Sequence, residues 1–92
     1  MNGVAPESKP TLRAGCRLSD SPGQVDMLLI PEGALRLKGT SLKIVELCDG
    51  QRSVADIVLE LQAMYPSAPP AQIAEQVAEF LERLRAKSVL EF

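Results

Sequence analysis

The sequence predicts an α+β domain in which a three-stranded antiparallel β-meander precedes a three-helix bundle. Two observations carry that prediction. Residues 16–38 hold short apolar or alternating runs separated by Pro- and Gly-bearing breaks, whereas residues 40–87 hold three segments whose apolar side chains recur at helical spacing. With 92 residues and 3% aromatics, the chain has one modest core, filled by Leu, Val, Ile and Met.

The polar, Gly- and Pro-containing residues 1–10 read as a flexible N-terminal tail, and residues 11–92 as the domain. Cys16-Arg17-Leu18-Ser19 alternates as a half-buried strand does, and Asp20-Ser21-Pro22-Gly23 is a turn. Val25 to Ile30 is apolar almost throughout, which suits a central strand covered on both faces. Pro31-Glu32-Gly33 interrupts it. Ala34-Leu35-Arg36-Leu37-Lys38 then alternates again, with Leu35 and Leu37 on one face, and forms an edge strand. Thr40 is placed to cap a first helix carrying Leu42, Val45 and Cys48, and Asp49-Gly50 stops it. Ser53-Val54-Ala55-Asp56 reads as a capping box with Asp in place of Glu. The second helix shows Val54, Ile57, Val58, Leu61 and Met64 on one stripe and closes at Pro66. The third starts near Pro70, presents Ile73, Val77, Phe80, Leu81 and Leu84, and ends among Arg83, Arg85 and Lys87, which complement the helix dipole. Val89, Leu90 and Phe92 are expected to pack back on the core. The order resembles a winged-helix fold.

Composition excludes several function classes. A net charge of −2 and a pI near 5.0 oppose a nucleic-acid partner, because phosphate binding needs clustered Lys and Arg. The third helix sets Glu75, Glu79 and Glu82 against Arg83, Arg85 and Lys87, so a winged-helix DNA-binding regulator is the weaker alternative. Cys16 and Cys48 form no CxxC pair and His is absent, so neither a disulfide framework nor a metal site is expected. No nucleophile motif, phosphate loop or dinucleotide fingerprint occurs, and no catalytic residue or cofactor is expected. Glu75, Glu79, Glu82 and Arg83 read as a solvated helix face. Met1 to Arg13 lacks the apolar segment of a signal peptide and no run is long enough to span a bilayer, which makes a cytoplasmic location the expectation.

What remains is the edge strand. Its unpaired amides and carbonyls can accept an extended peptide as a further strand, or can simply be short and guarded by Arg36 and Lys38. The same edge also permits self-pairing, so the chain is expected to be a monomer or weak homodimer.

Leu28-Leu29-Ile30-Pro31-Glu32-Gly33 followed by Leu37, and Cys48-Asp49-Gly50 followed by Val54 and Ile57, together resemble the pyrroloquinoline quinone biosynthesis protein D family over about residues 10–92. The chain departs from that pattern at Lys38-Gly39 and at Ser88-Val89-Leu90. The resemblance implies a recognition element that binds a ribosomally made, PqqA-like precursor peptide containing a Glu and a Tyr. It implies presentation of that peptide to a PqqE-like radical S-adenosylmethionine enzyme, which cross-links the two side chains. Carried onto this chain, the peptide pairs with the backbone of Ala34, Leu35, Arg36, Leu37 and Lys38. The groove walls are then Leu35 or Leu37 with Ile73, Val77 and Phe80, and either Leu28 and Ile30 or Met27 and Leu29 face the peptide side. A subunit that completes a partner enzyme's active site is a third reading.

Overall fold

The computed structural model describes residues 4–19, 21–23 and 26–92. Strands β1 (Thr11–Leu12), β2 (Arg17–Leu18), β3 (Met27–Ile30) and β4 (Gly33–Arg36) precede helices α1 (Thr40–Leu47), α2 (Val54–Met64) and α3 (Pro70–Ala86), and β5 (Leu90–Glu91) ends the fold. The expected meander is present as an antiparallel sheet of order β2-β3-β4, and three helices follow it. Asp20 and Val25, assigned above to a turn and to the start of the central strand, lie outside the described residues.

The helices begin and end for identifiable reasons. Ser53 Oγ accepts from the Asp56 amide at 3.1 Å while the Asp56 carboxylate accepts from the Ser53 amide, so the capping box read from sequence closes α2. At α1 the cap is Gly39, at φ 52°, and not Thr40, which is already the first helical residue. A positive φ is open to Gly at little steric cost, and the chain uses it to leave β4 and enter the helix. Gly50, at φ 77°, follows α1 in the left-handed region, beside the Thr11 side chain.

All three helices contribute to one core. Leu28, Val45, Ile57, Leu61, Val77, Leu81, Val89 and Leu90 are its most deeply buried apolar side chains. The central strand is not covered on both faces as expected: Leu28 is buried, but Met27 and Leu29 stay half-buried and outside the core. The sheet has its helices on one side only, so its outer face retains apolar surface.

Two features were absent from the sequence reading. β1 and β5 pair antiparallel, Thr11 opposite Glu91 and Leu12 opposite Leu90, and tie the two ends of the fold together. Of the free tail expected over residues 1–10, the described residues 4–10 lie against the fold. Val4 and Pro10 are buried, and the carbonyls of Pro6 and Ser8 accept from the amides of Ala55 and Val54 at 2.9 and 2.8 Å. Those amides are first-turn donors of α2 with no partner inside the helix, so the N-terminal segment supplies what the helix lacks.

Candidate peptide-binding edge

Among the described residues β4 is an edge strand, paired only with β3, through the registers Met27–Arg36, Leu28–Leu35, Leu29–Ala34 and Ile30–Gly33. The Leu37 amide extends this ladder by donating to the Asp26 carbonyl at 2.7 Å. In an antiparallel pair, residues that exchange hydrogen bonds alternate with residues that do not. Counting back from Leu37, Leu35 and Gly33 turn their N–H and C=O groups toward β3, and Ala34 and Arg36 turn theirs outward. Among the described residues, neither Ala34 nor Arg36 has a backbone partner on that side. Lys38 continues the outward parity beyond the strand, and its carbonyl accepts from the Ser41 amide at 3.0 Å.

Side chains sort by the same register. Leu35 shares the inner face with Leu28 and packs against the core; Ala34 and Arg36 share the outer face with Leu29 and Met27. The Arg36 guanidinium reaches Asp26 Oδ2 at 2.8 Å. Leu37 is buried and belongs to the core.

Where the chain leaves β4 and enters α1, a hollow of about 210 Å³ opens between α1 and α3, lined by Thr40, Ser41, Ile44, Gln76, Glu79, Phe80 and Arg83. Of the third-helix residues expected as groove walls, only Phe80 reaches it: Phe80 is half-buried, whereas Ile73 and Val77 lie in the core with 5% and 0% exposure. The stripe expected to serve both purposes is thus divided, with Val77 inward and Phe80 at the margin. Gln76, Glu79 and Arg83, passed over or read as a solvated face, complete the row with Phe80 at spacings of three and four residues. That helical row was available in the sequence, but its polar members masked it.

A second, apolar hollow of about 360 Å³ lies between α2 and α3 and includes Pro6, Val54, Val58, Leu59, Ala74 and Ala78. A two-residue offset turns a helix by roughly 200°, so Ala74 and Ala78 project from α3 opposite to Gln76 and Phe80.

Cys48 and Asp49 are both shifted from their ordinary values by their surroundings. Burial pushes the Cys48 thiol up to about 12, with the neighbouring Asp49 charge adding to the effect, and Sγ donates to the Ile44 carbonyl at 3.2 Å. Hydrogen bonds from the amides of Gln51 and Arg52, at 2.9 and 3.0 Å, hold the Asp49 carboxyl below its usual value. Asp49 therefore shapes the turn after α1. Among the described residues, no group of three or more His, Cys, Asp or Glu could hold a metal ion, and no helix is long and apolar enough to cross a membrane.

Fold and site together define a small α+β recognition domain with an unpaired sheet edge. Residues 27–90 match the family model for coenzyme PQQ synthesis protein D (PqqD). The chain is 40% identical over 79 residues, 85% of each chain, to a PqqA binding protein of Pseudomonas entomophila, and 37% identical over 91 residues, 98% of each, to one of Xanthomonas axonopodis pv. citri. It superimposes with a TM-score of 0.77 and 30% identity on the solution structure of the PqqD truncation of Methylobacterium extorquens PqqCD, described as a stand-alone RiPP recognition element, covering 97% of this chain and 95% of that one. The chain belongs to the PqqD family.

Proposed function

We propose that the protein binds the precursor peptide of pyrroloquinoline quinone as an added strand on β4 and presents it to the radical S-adenosylmethionine enzyme that cross-links its Glu and Tyr. The relatives named as PqqA binding proteins support the ligand class. The observation that carries the docking mode is the outward N–H and C=O of Ala34 and Arg36, placed just before a hollow that Phe80 enters. Four backbone hydrogen bonds at roughly 0.5–1.5 kcal/mol each, with one or two apolar anchors at roughly 1.5–3 kcal/mol each, suffice for micromolar binding after the peptide's ordering cost. The protein does no chemistry of its own in this reading, and its place is the cytoplasm, beside the enzyme it serves. A DNA-recognition role for α3 finds no positive excess there, since Arg85 is committed to Glu82 at 2.7 Å.

Titrating the isotope-labelled protein with the precursor peptide and following backbone amide shifts tests the proposal. Shifts clustered on Ala34–Lys38 and on α3 around Phe80 are the expected result. Shifts confined to the hollow between α2 and α3 would overturn the docking mode, and none at hundreds of micromolar peptide would overturn unaided binding.

A further inference from the structure

We infer that β4 reads an acidic side chain of the docked peptide, at the register position of Arg36, and an apolar one two residues away, opposite Ala34. The inference rests on the strand-addition reading above and deepens it by specifying what the edge selects. A peptide residue directly opposite Arg36 places its side chain on the sheet's outer face, with Cβ atoms about 4.5–5.5 Å apart. Arg36 is prepared for that neighbour. Its Nη1 donates to Asp26 Oδ2 at 2.8 Å, which restrains the guanidinium, yet the side chain stays 56% exposed. A guanidinium carries five N–H donors, and one bond to Asp26 leaves most of them open. A carboxylate in the added strand can therefore pair with a head group already held in place, which reduces the ordering cost of an exposed ion pair.

The surroundings favour the same sign. Residues 11–38 carry four Lys or Arg against three Asp or Glu, whereas residues 39–92 carry five against eight, so the sheet half of an acidic molecule is its basic half. The nearby acid Glu32 sits in the β3–β4 turn, beyond Gly33 and about 13 Å along the chain from Arg36 at roughly 3.3 Å per residue. Arg17 stands in the outer-face row Arg17–Leu29–Ala34. In that row Ala34 has no side chain beyond Cβ, and half-buried Leu29 lies behind it. A long apolar side chain opposite Ala34 can lie across it onto Leu29. Residues i and i+2 of a strand share a face, so the two preferences form one short acidic–apolar pattern.

The test is a charge-swap titration of full-length protein against the synthetic precursor peptide and a set of its variants, each acidic residue replaced by Lys in turn. On the unaltered protein, one variant should bind about tenfold more weakly, the combined effect of losing an opposed charge pair and gaining a like one. Arg36→Glu should weaken the parent peptide similarly and restore that one variant, and the restoration should shrink as salt rises. Arg36→Gln, which adds no like charge beside Asp26, should reduce parent binding about threefold and make the protein indifferent to the swap. Parent binding to the unaltered protein without rescue of any variant by Arg36→Glu would overturn this inference and leave strand addition standing. Failure of the unaltered protein to bind the parent peptide would overturn the underlying reading, and this one with it.

Discussion

At the scale of single residues, backbone parity decides what each position of β4 can do. Arg36 N–H points away from β3, whereas Leu35 N–H points into the ladder. Proline at either site removes a donor, but the consequences separate. Arg36→Pro should leave thermal melting nearly unchanged and weaken peptide binding about tenfold, one lost bond of roughly 0.5–1.5 kcal/mol plus the ring's obstruction of the added strand. Leu35→Pro should lower stability instead, because a ladder bond inside the sheet is broken; calorimetric titration and melting curves on both variants check the contrast. Two titratable residues behave oppositely with pH. The Asp49 carboxyl is held low in the folded state by the amides of Gln51 and Arg52, so its contribution is present above the unfolded value and lost as pH falls through the folded one. Asp49→Asn should therefore flatten the acid side of a stability–pH profile. Cys48 is raised from 9.0 to about 12, so over that window the unfolded chain releases a proton the folded chain keeps and stability falls as pH rises. At pH 8 a thiol reagent should modify half-buried Cys16 readily and Cys48 only through unfolding.

At the scale of elements, α3 serves the core and the candidate groove with different residues. Val77 is fully buried among core side chains and Phe80 sits at the edge of the hollow beside α1. Val77→Asp should unfold the domain, since an unpaired buried carboxylate costs several kcal/mol against a total stability of roughly 5–15 kcal/mol. Phe80→Ser should keep most helical circular dichroism and lose peptide affinity. If both variants unfold, Phe80 is core and the hollow does not read the peptide. The helices were legible in the sequence because eight to 17 residues give periodicity room to repeat and because Ser53, Asp56, Pro70 and Gly50 mark ends by local chemistry. The meander was legible too, through Pro31-Glu32-Gly33 and the alternation around Leu35. The division of the third-helix stripe was not. Ile73, Val77 and Phe80 are all apolar at helical spacing, and only the position of α1 decides which one meets a hollow. Leu37 was likewise ambiguous: alternation put it beside Leu35, but its burial depends on where the chain turns toward Gly39.

At the scale of the whole molecule, the termini hold the fold closed. Strands of two residues show no alternation, so Thr11–Leu12 and Leu90–Glu91 carry no strand signal; only tertiary proximity pairs them. Residues 4–10 look like a tail in sequence, being polar with two prolines, yet their carbonyls reach Val54, Ala55 and Gly50 as acceptors. The Arg13 amide also donates to the Val89 carbonyl at 2.9 Å, so the first residues of the fold bear on the start of α2 and on the strand after α3 at once. Removing residues 1–9, which spares buried Pro10 and its carbonyl's bond to the Gly50 amide, should therefore act as a core mutation would. It exposes the surface that Val4 covers, worth roughly 1.5–3 kcal/mol, and orphans the Val54 and Ala55 amides, each bond being worth roughly 0.5–1.5 kcal/mol. Because those amides regain water when uncovered, the loss should fall near 2–4 kcal/mol, a drop in melting temperature of about 10 °C or more for a domain of this size. Val4→Ser in the full chain should give the apolar share alone. Urea unfolding of the three proteins checks the division: a truncation no less stable than Val4→Ser would mean that the carbonyl caps contribute nothing, and one as stable as the full chain would mean that the segment lies on the fold without holding it.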